Sequence, residues 1–184
     1  MLVDIATALP DAVIDIRYAT ADNFTGAPVY AKAKALLHPD AMEKLKKAAE
    51  IAARFGYRLK IFDAFRPAEA QQKLWNHTPD PEFLCPPDIG SPHSRGVAVD
   101  LTLLDAAGNE LDMGTGFDEF TPLSHHGNAG VSLEAQKNRL LLMGIMTTAG
   151  WDFYRNEWWH YQLFNSRRDY VVLSDKEAGT GMMV

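Results

Sequence analysis

The sequence predicts an α+β fold in which helices pack on an antiparallel sheet, and three observations carry the expectation. Helical patterns fall early, strand patterns fall late, and no regular strand–helix–strand alternation appears. The last two strand-like segments are separated only by Arg155-Asn156-Glu157, short enough for a hairpin. The 184 residues hold no internal repeat, low-complexity block or linker-like stretch, so residues 1–184 read as one domain.

The elements follow in order. Residues 39–55 predict a helix, with Pro39 at the start, Gly56 just past the end, and Met42, Leu45, Ala49 and Ala52 at helical spacing. Tyr57 to Asp63 fits a strand, and a shorter helix runs from Pro67 to about Trp75. Residues 76–90, NHTPDPEFLCPPDIG, hold four of the ten prolines and read as an ordered surface loop. Val97 to Leu104 fits a second strand. The third helix starts after Ser132, a good N-cap, and stops at Gly150, a good C-cap. Trp151–Tyr154 and Trp158–Phe164 form the expected hairpin. From about residue 178, with Gly179-Thr180-Gly181, a frayed tail is expected.

Composition excludes several classes. The net charge is −6 and the basic residues do not cluster, which argues against nucleic acid as a partner. The longest apolar run, Leu140 to Met146, is too short to span a bilayer, and the N-terminus has no basic stretch of a signal peptide. A cytoplasmic enzyme without membrane partners is the resulting expectation. The single cysteine, Cys85, has no partner for an internal disulfide and reads as incidental to its loop. Oligomeric state leaves no mark that a sequence displays.

The stretch SPHSRGVAVD, residues 91–100, raises the chemical question. In a helix His93 and Asp100 would lie about 10 Å apart along the axis, and in a strand they would point to opposite faces. Two ligands of one metal ion must lie within roughly 4 Å of each other. Both can serve one site only if the chain bends near Ser94-Arg95-Gly96 and then enters a strand. Downstream, EWWH supplies Glu157 and His160. His93, Asp100 and His160 make a two-histidine, one-carboxylate set that leaves a tetrahedral position open, the pattern of a catalytic zinc site. The same ligands suit ferrous iron in an oxygenase. Glu157, placed in a turn as a general base, favours the hydrolase. Singly, a histidine beside a strand or an aromatic run such as WWHYQLF is more often core. The two motifs together favour the metal. His38 and His77 read as helix caps or surface groups, and His125-His126 as loop structure near the cleft.

The string Ser91-x-His93-x-x-Gly96-x-Ala98-x-Asp100 with Glu157-x-x-His160 resembles the zinc D-alanyl-D-alanine dipeptidases of the VanX type, within a wider group of zinc peptidases that act on peptidoglycan peptides. The resemblance extends to Tyr18-Ala19-Thr20, Asp22 to Gly26, Asp63 to Pro67, Met113-Gly114, Phe117-Asp118, Ser124-His125-His126 and Glu134-Ala135-Gln136. It implies one Zn²⁺ per chain in a central cleft, held by His93, Asp100 and His160, with Glu157 as base. Arg66 matches the arginine that steadies the oxygen of the tetrahedral intermediate, its bland alternative being an ion pair with Asp63. Tyr18, Ser91 and Asp118 match positions that grip the small substrate, Asp118 as acceptor for its ammonium. The bland alternatives are core packing for Tyr18 and a turn cap for Asp118. Two departures imply a more open pocket: the 76–90 loop is shorter than in the resistance-type enzymes, and Ala21 stands where the family can carry tryptophan.

The resemblance thus implies hydrolysis of D-Ala-D-Ala to two D-alanines. The alternatives are a DD-carboxypeptidase or endopeptidase on longer peptidoglycan peptides and, more remotely, a binding module without activity.

Overall fold

The computed structural model describes residues 1–183. In chain order the strands are β1 (Val3–Asp4), β2 (Val13–Ile14), β3 (Leu36–Leu37), β4 (Arg58–Asp63), β5 (Ala98–Leu104), β6 (Asp152–Phe153) and β7 (His160–Gln162). The helices are α1 (Ile5–Ala8), α2 (Pro39–Arg54), α3 (Ala68–His77), α4 (Leu133–Ala149), α5 (Ser166–Asp169) and α6 (Asp175–Ala178). Five strands form one sheet in the order β2-β4-β5-β7-β6, and β1 pairs with β3 separately. The α+β class stands.

The expected antiparallel sheet is mixed at one edge. Its edge pair β2–β4 is parallel, with Val13 opposite Lys60 and Ile14 opposite Ile61. Between them the chain passes through β3 and α2, the kind of long crossover that a parallel pair requires. The other three pairings are antiparallel. All seven residues of β5 are buried, as a central strand covered on both faces demands.

α2 buries Ala41, Met42, Leu45, Ala48 and Ala52, a face repeating every three to four residues, and packs against β4 and α4. The caps read from the sequence hold. The Ser132 hydroxyl accepts from the Ala135 amide at 3.0 Å, and Gly150 ends α4 at φ 99°. α3 begins one residue later than expected and extends to His77.

The terminal hairpin is shorter in its strands and longer in its turn than expected. Trp158 leaves the ladder because its amide donates to the Ser124 carbonyl at 3.1 Å and its indole N–H to Thr115 at 2.9 Å. Pairing therefore begins only at His160.

The expected frayed tail needs correction. The Ala31 amide donates to the Met182 carbonyl at 2.7 Å, and Thr180 and Met182 are buried. Asp175 holds the turn: its carboxylate accepts from the Thr180 hydroxyl and from the Met182 and Met183 amides, the latter two at 2.9 and 3.1 Å. Burial opposes this charge, but the three donors outweigh it and leave the carboxyl below its usual value. A carboxyl lowered in the folded state contributes stability above the unfolded value, and that stability is lost as pH falls through the folded one. Asp175→Ala is expected to cost about 2 kcal/mol at neutral pH. The difference from wild type should shrink below pH 4 in a melting series; an unchanged melting temperature at neutral pH would rule this role out.

Candidate metal centre

The bend that the His93–Asp100 spacing requires is present. Residues 93–95 form a single 3₁₀ turn, Gly96 takes the left-handed conformation at φ 69°, and β5 starts two residues later. Only glycine fits at 96. A β-carbon there would sit 2.8 Å from the Leu2 side chain and 3.3 Å from the His38 amide nitrogen, on a backbone that other residues rarely adopt.

The sheet supplies the rest. Asp100 lies opposite His160 across the β5–β7 pair, and a register shift after Ile61 brings Asp63 opposite Asp100 on the other side. Three neighbouring strands thus present Asp63, Asp100 and His160 side by side, and the 3₁₀ turn folds His93 over them.

His93 Nε2, His160 Nδ1 and Asp100 Oδ1 form a triangle with sides of 3.0, 3.1 and 3.3 Å. Donors around a tetrahedral ion with bonds of ~2.0–2.1 Å lie about 3.3–3.4 Å apart, so the triangle fits such an ion after slight expansion. The tautomers fit as well. His93 Nδ1 donates to the Ala64 carbonyl at 2.7 Å, and His160 Nε2 to the Gln162 side-chain oxygen at 3.1 Å. Each ring is left with a lone pair aimed into the triangle, where Asp100 adds another acceptor. Three buried acceptors facing one another call for a cation. Burial opposes the charge on Asp100; His93 and His160, when protonated, hold the carboxyl low, the compensation that a bound cation supplies when the rings are neutral.

Glu157 stands in the connection between β6 and β7, buried, with its carboxylate 3.8 Å from His160 Nδ1. It is therefore adjacent to the triangle and outside it. Burial and the nearby carboxylates of Asp100 and Asp118 push its proton affinity well above the usual range, with Arg66 pulling the other way.

Arg66 follows β4. Its Nε donates to Asp63 at 2.9 Å and its Nη2 lies 3.5 Å from Asp100 Oδ2. The ion pair with Asp63 is present, and Arg66 also lines the cavity. The guanidinium also lies over the ring of Tyr18, 4.9 Å from its centroid.

Asp118 does not cap its turn: Glu119 does, accepting from the Gly116 amide at 3.0 Å. Asp118 is instead held at φ 59°, buried, with Oδ2 unpartnered among the described residues. Backbone strain of this kind, about 1 kcal/mol or more, persists where a side chain must be aimed. Tyr18 is buried among Phe24, Tyr30 and Phe117 and also lines the cavity. The Ser91 hydroxyl accepts from the His93 amide at 3.2 Å and faces the same space.

All eight residues singled out from the sequence line one cavity of about 630 Å³. The 76–90 loop covers it with Pro81, Phe83, Leu84, Cys85, Pro86 and Ile89, and Phe83 stacks on Phe120 at 4.9 Å. Ala21 is exposed and takes no part in the lining. Burial pushes the Cys85 thiol up, away from the thiolate form that a nucleophile needs. His125 and His126 stand outside the cavity: His125 lies against Phe83, and His126 packs on Phe153 with its basicity lowered to about 4 by burial. His38 accepts from the Asp40 amide at the start of α2, a cap as expected.

Residues beyond the eight complete the centre, Asp63 in the ion pair that the sequence suggested. Asp63 braces Arg66, Gln162 fixes the His160 tautomer, and the Ala64 carbonyl fixes that of His93. The i, i+2 spacing of His160 and Gln162 on one strand face was the available signal for Gln162; a backbone carbonyl leaves none.

A family model described as D-Ala-D-Ala dipeptidase matches residues 1–175. The D-alanyl-D-alanine dipeptidase of Escherichia coli K12 is 47% identical over 175 residues, covering 95% of this chain and 90% of that protein. Proteins of the same name from Enterococcus faecium and Streptomyces coelicolor are 38% and 36% identical, each over 81% of this chain and 84% of their own. With the family model spanning nearly the whole chain, and with relatives of this similarity, the chain belongs to the D-Ala-D-Ala dipeptidase family of peptidases.

Proposed function

We propose that this protein is a zinc-dependent dipeptidase that hydrolyses D-Ala-D-Ala to two D-alanines, acting in the cytoplasm. The observation that carries the reading is a three-acceptor triangle flanked on one side by a buried carboxylate and on another by a buried guanidinium. Zinc held by His93, Asp100 and His160 would supply Lewis acidity, polarising the scissile carbonyl and lowering the pKa of water to ~7.

The chain's own groups do the rest. The Glu157 carboxylate accepts the proton of the attacking water and passes it to the leaving amine, a task suited to a carboxylate of raised proton affinity. Arg66 donates to the oxygen that gains charge in the transition state, and its orientation is set in advance by Asp63. The unpartnered Asp118 oxygen accepts the substrate ammonium, while Tyr18 and Ser91 complete the wall around it. The names of the relatives support the substrate class.

One observation favours a second reading, a DD-carboxypeptidase or endopeptidase on longer peptidoglycan peptides. The cavity, about 630 Å³, suits ligands larger than two alanines and runs out to Asn165, Arg167 and Arg168. Alanine release from D-Ala-D-Ala, set beside its N-acetyl form with a chelated control, separates the two. Chelator-sensitive cleavage of the free dipeptide alone is the expected result. Cleavage of the blocked form at a comparable rate would transfer the assignment to the longer-peptide reading and remove the ammonium role of Asp118.

A further inference from the structure

Gln71 is an uncharged side chain, 2% exposed, on the buried face of α3, and it does not line the cavity. Both ends of its amide are engaged. The oxygen accepts from Arg66 Nη1 at 2.9 Å, and the nitrogen donates to the Cys85 carbonyl at 2.8 Å. Cys85 belongs to the segment that covers the cleft. On the other side of the guanidinium, Asp63 accepts from Arg66 Nε at 2.9 Å and from the Tyr30 hydroxyl at 2.9 Å. With Nε and Nη1 each engaged, Nη2 faces Asp100, 3.5 Å from its Oδ2.

The covering segment is tied at a second point. The Glu82 carbonyl accepts from the Tyr154 hydroxyl at 2.8 Å and from the Asn156 side-chain Nδ2 at 3.1 Å, in the turn that carries Glu157. One segment thus reaches the arginine side of the site through Gln71 and the base side through Tyr154.

We infer that Gln71 is a positioning residue that fixes the Arg66 guanidinium against the seated 78–90 segment, so that cover and arginine are set together. The inference rests on the dipeptidase reading for its rate measurements. Its physical basis is that a planar five-donor guanidinium must be held at several points to present one N–H pair to the reaction, and a side-chain amide can accept from it with its oxygen while its nitrogen donates to a backbone carbonyl.

Two variants divide the functions. Gln71→Met keeps the length and loses both bonds. Gln71→Glu keeps the acceptor for Arg66 and loses the donor to Cys85. Gln71→Met is expected to lower kcat on D-Ala-D-Ala about 10- to 100-fold, the loss associated with a hydrogen bond to a charged group. Gln71→Glu should keep kcat within about threefold and raise KM, because the arginine stays held while the cover loosens. In an Arg66→Ala background, Gln71→Met should have no further effect on kcat, since the residue acts through the arginine.

Hydrogen exchange on the metal-free proteins supplies a readout apart from activity. Amides in 80–90 should exchange faster in both variants than in wild type, and Gln72→Met on the exposed face of α3 should match wild type. Unchanged kcat in Gln71→Met, a full loss that persists without Arg66, or unchanged exchange in 80–90 would each overturn the inference. A wild-type protein inert toward D-Ala-D-Ala would defeat the functional reading instead, and the exchange series would still decide whether Gln71 ties the cover.

Discussion

Replacing Glu157 with alanine is expected to lower turnover of D-Ala-D-Ala about 10²- to 10⁴-fold, the range attributed to a positioned general base, while one zinc ion per chain is still bound. The geometry separates the two properties. The ligand atoms stand 3.0–3.3 Å from one another, whereas the Glu157 carboxylate is 3.8 Å from His160 Nδ1. Removing it leaves all three ligands and both tautomer-fixing hydrogen bonds in place. Glu157→Gln preserves the volume and tests whether the loss belongs to the proton-accepting oxygen rather than to packing. Neither variant should melt below wild type by more than the cost of the lost contacts, because Glu157 is buried beside Asp100 and Asp118 and its charge is opposed there. Metal content by elemental analysis and initial rates decide the case. A variant retaining a tenth or more of wild-type turnover, or one purified without metal, would remove Glu157 from the role of base.

Much of this site was legible because its residues obey local rules. A glycine between His93 and Asp100 announced a bend, the β-branched run after it announced a strand, and the bend-plus-strand combination is what converts seven positions into 3.3 Å. The helix ends at Ser132 and Gly150 were equally local, since capping chemistry acts within a turn. What escaped the sequence depends on contacts remote along the chain. The parallel β2–β4 edge depends on where a two-residue strand docks after a long crossover. The early exit of Trp158 from the hairpin depends on Ser124 and Thr115, and the packed C-terminus depends on Ala31. Asp118 shows the same divide at the site: its identity was visible, but the left-handed backbone and unpartnered oxygen that distinguish it from a turn cap exist only once the fold has closed.

Removal of the metal is expected to abolish hydrolysis and to lower the melting temperature by several degrees, both restored by zinc. The chain buries Asp63, Asp100, Asp118 and Glu157 around one guanidinium and two imidazoles. Such a centre holds more acceptors than donors, and a cation that binds only the folded state relieves the excess. At a hundredfold excess over its dissociation constant, an ion adds about 2.7 kcal/mol. For a chain of this length each kcal/mol moves the transition by roughly 2–4 °C, giving a rise of about 5–11 °C. His160→Ala should lose this rise entirely, because two ligands cannot close the triangle. Gln162→Ala should keep it but require a 10- to 100-fold higher zinc concentration, because the ligand remains while its tautomer and orientation are no longer held. A zinc titration followed by thermal melting orders the three proteins. Equal midpoints for wild type and Gln162→Ala would show that the side-chain oxygen contributes nothing to the centre. An undiminished rise in His160→Ala would place the ion elsewhere and undo the assignment of all three ligands.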